Sequence, residues 1–278
     1  MRKLGKGLLS FFMAVISVIY ISPIFIVLLN SFKLKTAISA SPFSLPNAKN
    51  FVGLENFTRG ITFGDYPFYK SVFFSAVITI LSTLAILLFT SMAAWYITRV
   101  DNALCRGIYY LCVFSMIVPF QMVMYTMTYV VNKVNFDNVF GITLIYLGFG
   151  AGLSVFMLAG FIKSVPLEIE EAATIDGAGP LQSFFMVVMP ILKPTAITVA
   201  ILNAMWIWND YLLPYLVLGT DEKTIPVAIQ IAMQGAYGAT DYGGLMAMLV
   251  LAIIPIVIFY AACQKYIIKG VVAGAVKG

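Results

Sequence analysis

The chain has no histidine, three cysteines and little charge: Asp, Glu, Lys and Arg together fill 10% of its 278 positions. Each shortage excludes a class of function. Cys105, Cys112 and Cys263 lie in or near apolar runs without a Cys-x-x-Cys spacing. With no histidine to join them, they argue against a zinc site or a disulfide framework, and read as small apolar side chains. Few acids fall inside the apolar runs, so nothing assembles into an acid–base or nucleophilic centre. No catalytic residue, metal site or cofactor site is therefore expected in this chain. A Gly-x4-Gly-Lys-Ser/Thr stretch is also missing, so the chain cannot cradle ATP phosphates through a P-loop.

What is present is apolar. Hydrophobic residues make up 61% and aromatics 14% of the chain, and mean hydropathy is +0.96. Soluble domains carry about a quarter charged residues, so the composition is that of a polytopic membrane protein. The net charge of +5 is scattered rather than gathered on one face, which excludes nucleic acid as a partner. Lipid is the expected surroundings.

Runs of about 20 apolar residues suffice to cross a bilayer, and six can be drawn, near 8–30, 71–98, 107–131, 140–162, 195–218 and 243–266. The first follows Arg2, Lys3 and Lys6 and imitates a signal peptide. It is long enough to span and no small-x-small cleavage site follows, so it reads as a retained span. Counting Lys and Arg by side sets the orientation. With the N-terminus inside, Arg2, Lys3, Lys6, Arg99, Arg106, Lys163, Lys193, Lys265, Lys269 and Lys277 all fall inside. Lys133, Lys223 and five more in a long loop fall outside. Both termini are expected in the cytoplasm, and the chain is expected to be one transmembrane domain, 1–278.

The outer loop, 31–70, carries Pro42, Pro46, Asn47 and Asn50 and reads as irregular or short interfacial structure. Asn56-Phe57-Thr58 matches a glycosylation acceptor in form only. Pro23, Pro119 and Pro255 each interrupt a span and are expected to kink it. Gly148, Gly150, Gly152 and Gly160 either let helices approach closely or serve gating.

One polar stretch stands among these spans. Glu168, Glu170, Glu171 and Asp176 place four carboxylates within nine residues, which no bilayer core would accept. Pro166 suits a helix start, Glu168 and Glu170 complement the positive helix end, and Gly177, Gly179 and Pro180 stop the helix. Pro180 is expected to begin a second short helix ending before Pro190. The result is a helix–turn–helix whose Ala172 and Ala173 leave a shallow surface that a partner can approach. Glu171 and Asp176 offer carboxylates to basic groups.

This stretch resembles the cytoplasmic EAA loop of binding-protein-dependent ABC importer permeases, whose pattern is Glu-Ala-Ala, three residues, Gly, nine residues, Ile-x-Leu-Pro. Here it stands as Glu171-Ala172-Ala173, Gly177 and Val187-Val188-Met189-Pro190, with Val187 for Ile and Met189 for Leu. Asn203-Ala204-Met205-Trp206-Ile207-Trp208-Asn209-Asp210-Tyr211 reads either as an aromatic belt or as a polar, aromatic-lined stretch facing a pathway. It resembles the Trp-Asn-Asp-Phe/Tyr segment of MalG-like carbohydrate-uptake permeases. The tail 273–278 is similar to their Ala-Gly-x-Val-Lys-Gly ending, although most such tails are merely frayed.

The resemblance implies an all-α, type I ABC importer permease fold with six transmembrane helices in the bacterial cytoplasmic membrane, coupling helices at 164–190, an outer scoop loop at 219–243 and a cytoplasmic tail at 270–278. It implies ATPase docking through Glu168, Glu171, Ala172, Ala173, Asp176, Gly177 and Pro190, and a pathway lined by Asn203, Trp206, Trp208, Asn209 and Asp210. The scoop would reach a binding protein with Gln234, Gly235 and Tyr237, and the tail would reach the ATPases with Gly274, Lys277 and Gly278. The implied partners are a second, different permease, two ATPase subunits that hold ATP and Mg, and an extracytoplasmic sugar-binding protein. The same machine carrying a polyol, glycerol phosphate or an amino acid, an ion-coupled carrier, and a structural or enzymatic membrane protein are the alternatives. The last two are disfavoured by the few ionisable residues within the spans.

Overall fold

The computed structural model describes residues 2–63, 66–219, 222–234 and 240–275. Gly235, Tyr237, Lys277 and Gly278 lie outside them. Among the described residues the chain is helical, with one isolated antiparallel bridge, Lys33 to Phe51. The elements are α1 (Arg2–Asn30), α2 (Lys35–Ala40), α3 (Glu55–Ile61), α4 (Phe68–Arg99), α5 (Ala103–Ser115), α6 (Phe120–Lys133), α7 (Val139–Ile162) and α8 (Glu168–Ile175). After them come α9 (Pro180–Ser183), a π-turn (Phe184–Val188), α10 (Met189–Asn209), α11 (Leu212–Leu218), α12 (Ile225–Gln234) and α13 (Tyr242–Ala275).

Among the described residues five stretches are long and apolar enough to cross a bilayer: Gly7–Asn30, Phe68–Arg99, Val139–Ile162, Pro180–Asn209 and Tyr242–Tyr266. The expected third span, 107–131, is not one helix. It is the pair α5 and α6, bent by 106° between them, which supplies the sixth crossing if the two count as one broken span. Pro119 is the cause. It lacks an N–H, disfavours helix at the residue before it, and sits in extended conformation as the N-cap of α6. The backbone at the break is partly satisfied by short-range bonds, Ile117 N to Phe114 O at 2.9 Å and Met122 N to Pro119 O at 3.0 Å. Pro23 and Pro255, by contrast, stand inside continuous helices.

The expected fifth span, 195–218, also shifts. Its helix begins at Pro180 and ends at Asn209, because the second short helix expected from Pro180 runs on instead of stopping before Pro190. A proline at 190 removes one N–H and crowds the carbonyl four residues back. The π-turn immediately before α10 widens the backbone there, so the chain continues without a break.

Contacts group the chain into two units, Met1–Val72 with Ile225–Val257, and Phe73–Thr224 with Ile258–Gly278. In the first, the outer loop is ordered by buried polar groups. The Asn56 amide donates to Ser31 O at 2.9 Å and Lys33 O at 2.8 Å and is fully buried, so it is closed to any glycan. Lys33 is fully buried too. Its ammonium donates to Ser41 O (3.2 Å), Pro42 O (3.4 Å) and Ser44 Oγ (3.4 Å), closing the chain around α2.

In the second unit α7 is central and nearly all apolar, as a helix surrounded by other helices must be. Two apolar clusters sit at its two ends. One joins Leu158 and Ile162 of α7 to Phe184, Val188 and Leu192. The other joins Ile142 and Tyr146 to Ile207, Leu213 and Val217. α10 therefore runs antiparallel to α7. Between the clusters Asn203 donates to Ser154 Oγ at 3.1 Å and to Val199 O at 2.9 Å, which satisfies a buried amide where lipid would not. Close approach explains three of the five glycines of α7, the first being Gly141, where a Cβ would run into the Phe136 carbonyl. A Cβ at Gly150 would stand 2.6 Å from Ile86 Cδ1, and one at Gly152 would stand 2.6 Å from Cys112 O. Gly148 and Gly160 face open space.

Candidate coupling site

α8 follows α7 after a short turn and is built as its sequence dictates. Glu168, Glu170 and Glu171 occupy its first turn, where the exposed N–H groups attract negative charge. It ends on a Schellman motif: Ala178 N bonds Ala173 O at 2.9 Å and Gly177 N bonds Thr174 O at 3.0 Å. Gly177 holds φ +88°, a conformation that residues with a Cβ resist.

The helix presents two faces. Outward, Glu168, Glu171, Ala172, Asp176 and Gly177 are exposed, Ala173 is half-buried, and Ile175 is the most open large apolar residue of the segment at 85%. Pro190 is also exposed, on α10. Inward, Glu170 is 8% exposed. Its Oε1 accepts from Arg99 Nε at 2.9 Å and Nη2 at 2.6 Å, and its Oε2 accepts from the Trp95 indole at 2.7 Å. Arg99 Nη2 also donates to Val165 O at 3.1 Å, in the turn between α7 and α8. Trp95 lies against Phe184 with ring centroids 5.5 Å apart. Beside this knot opens a cleft of about 500 Å³, bordered by Leu167, Glu171, Thr174, Ile175 and Pro180.

Charge spacing alone missed the inward residue. Glu170 serves the helix dipole, but it is also the buried partner of Arg99, and Trp95 completes the pair. A signal was available: Glu168 and Glu171 share a helix face that Glu170, one residue off, cannot share.

The expected pathway residues separate into two kinds. Trp206 and Asn209 are exposed and Trp208 half-buried, whereas Asn203 is 3% exposed and committed to Ser154. Asp210 is structural as well. Its Oδ2 accepts from the Tyr146 hydroxyl at 3.1 Å, and its Oδ1 accepts from Leu212 N at 3.0 Å, capping α11. Trp206 packs edge-on against the Tyr146 ring at 5.3 Å, and Tyr211 stacks on Tyr215 at 5.4 Å. Gln234 is exposed at the last position of α12, and Gly274 lies near the end of α13. Beyond the undescribed 235–239, Thr240 Oγ1 donates back to Met233 O at 3.1 Å. Arg59 of α3 stands 3.9 Å from Asp241. Among the described residues no group of three or more Cys, Asp or Glu is placed to hold a metal.

Five or six candidate crossings among the described residues, with one short helix that exposes an acidic face between two of them, define a multi-pass membrane component. Residues 87–272 match the family described as binding-protein-dependent transport system inner membrane component. The chain belongs to that family and is a non-enzymatic, multi-pass subunit of the cytoplasmic membrane. It is 37% identical over the full length of both chains to the probable starch degradation products transport system permease protein AmyC of Thermoanaerobacterium thermosulfurigenes. It is 36% identical to the multiple sugar-binding transport system permease protein MsmG of Streptococcus mutans, over 94% of this chain and 93% of that one. It is 32% identical to the melibiose/raffinose/stachyose import permease protein MelC of Bacillus subtilis, over 100% and 99%. The fold matches a chain of a bacterial ABC transporter involved in the import of the acidic polysaccharide alginate. That match has a TM-score of 0.80 and 22% identity over 95% of this chain and 96% of that one.

Proposed function

We propose that the chain is a permease subunit of an ATP-driven importer, that its solute is a sugar or oligosaccharide, and that α8 is where the ATPase docks. The observation that carries the docking is the two-faced build of α8. Its outer face leaves Glu168, Glu171, Ala172 and Asp176 free for a partner while its inner face is fastened through Glu170. The Lys and Arg count supports a cytoplasmic position for α8 and both termini. ATP and Mg would be held by two separate ATPase subunits, a second permease would complete the pathway, and an extracytoplasmic binding protein would deliver the solute.

The sugar reading rests on the names of the relatives, which span starch products, melibiose, raffinose and stachyose. It is supported by the chemistry at the far end of α10. Exposed Trp206 and Asn209 combine an aromatic face, on which a sugar ring stacks, with an amide that bonds hydroxyls. Asn203 and Asp210 hold this corner in place rather than touching solute. Because both oxygens of Asp210 are occupied, it is a poor candidate for an ion-coupling carboxylate.

In the scoop, Gln234 would meet the binding protein together with Gly235 and Tyr237. In the tail, Gly274, Lys277 and Gly278 would lie at the ATPases. The docking is tested by introducing Glu171→Arg with Gly177→Pro and purifying the complex in detergent. Loss of the ATPase subunits, with helicity and partner permease retained, is the expected result. Full retention of both ATPase subunits refutes α8 as the docking site.

A further inference from the structure

We propose that Glu170 is the positioning residue that carries a displacement of α8 into α4; the inference rests on the reading that α8 docks the ATPase. α8 has only eight residues and is joined to its neighbours by short turns at both ends. A push on its outer face would roll such a helix about those turns unless something behind it resists. Apolar packing resists little here, since the cleft of about 500 Å³ opens against Leu167, Thr174 and Ile175 on its flank. What resists is one carboxylate. Three charge-assisted donors from two α4 side chains fix both of its oxygens, and the planar guanidinium fork sets direction as well as distance.

The connection extends through Trp95. Its indole holds Glu170, and its ring lies against Phe184, which is fully buried in the π-turn that opens α10. Arg99 grips the turn before α8 through Val165 O as well. One buried residue of α8 thus gathers the end of α4, the end of α7 and the start of α10. The outward acids Glu168 and Glu171 have no such attachment among the interactions of α8; they belong to the partner's side of the helix.

The test uses the whole complex with its ATPase subunits, in a background with Cys105, Cys112 and Cys263 replaced by alanine. Spin labels are placed at exposed Tyr96 of α4 and Ile175 of α8. The 96–175 distance distribution is measured by electron–electron resonance without nucleotide and after trapping with Mg-ATP and vanadate. The expected result is one distance in both states, because α4 and α8 move together. In Glu170→Gln the trapped distance is expected to shift by more than the width of the distribution while the ATPase subunits still co-purify. Trp95→Phe, which removes a single bond, serves as a milder second variant with the same direction of effect. A wild-type distance that changes on trapping overturns the inference, as does a Glu170→Gln complex that keeps one distance. A wild-type complex that never binds its ATPase subunits refutes the docking reading itself, a separate failure visible before any distance is measured.

Discussion

The Tyr146 hydroxyl donates to the Asp210 carboxylate at 3.1 Å, joining the fully buried ring of α7 to the corner where α10 ends and α11 begins. Asp210 uses its other oxygen on Leu212 N, so the pair fixes the angle at which the exposed Trp206 and Asn209 are presented. Tyr146→Phe keeps the ring and leaves a partly buried carboxylate one donor short, a loss of about 1–3 kcal/mol. A lower unfolding midpoint in detergent is expected, together with weaker solute uptake at unchanged ATPase binding. An unchanged midpoint would show that the bond contributes nothing.

Gly177 and Gly179 lie two residues apart and are expected to respond differently to alanine. Gly177 holds φ +88°, where a Cβ costs roughly 1–2 kcal/mol. Gly179 has φ −70° and nothing within reach of a Cβ. Gly177→Ala should fray the end of α8 and reduce recovery of the ATPase subunits on purification, while Gly179→Ala should match wild type. Equal behaviour of the two would show that the helix end is not what the partner reads.

The glycines of α7 give a similar contrast by packing. A Cβ at Gly152 meets the Cys112 carbonyl, a backbone atom that cannot swing away, whereas one at Gly148 meets nothing. Overpacking of this kind costs about 1–3 kcal/mol. Thermal unfolding of the purified chain should fall for Gly152→Ala and stay level for Gly148→Ala. A level Gly152→Ala would mean that α5 and α7 are not packed this closely.

Burial pushes the Lys33 ammonium below its ordinary pKa of 10.5. Between the lowered folded value and the unfolded one, the unfolded chain holds more protons, so stability of this loop rises as pH climbs through that window. Below it, the full cost of burying the charge is present. Hydrogen exchange of 31–44 should therefore slow, relative to the intrinsic rate, on raising the pH toward 10.5, and Lys33→Met should abolish that pH dependence. An identical profile in the variant would remove Lys33 as its source.

Much of the architecture was legible because a bilayer imposes a simple rule of length and hydropathy. The first, second, fourth and sixth runs match Gly7–Asn30, Phe68–Arg99, Val139–Ile162 and Tyr242–Tyr266 closely. The failures fall at prolines, where one residue type has several outcomes. Pro119 breaks its span by 106°, Pro23 and Pro255 stay inside helices, and Pro190 is absorbed by a π-turn whose formation depends on the surrounding packing. At the site, the stop at Gly177 could be read from local chemistry. The partnership of Glu170 with Arg99 joins positions 71 residues apart, and spacing along one helix is silent about what packs behind it. Asn203 and Asp210 illustrate the same limit: their polarity drew attention to this corner, but their partners Tyr146 and Ser154 lie on another helix.

The most direct measurement is solute accumulation in proteoliposomes holding the complete complex and its binding protein, with labelled maltotriose, raffinose and stachyose as probes. Uptake should require Mg-ATP on the α8 side and persist when a protonophore collapses the ion gradient. Uptake that proceeds without ATP and stops with the protonophore would contradict an ATP-driven permease and return the chain to the ion-coupled class.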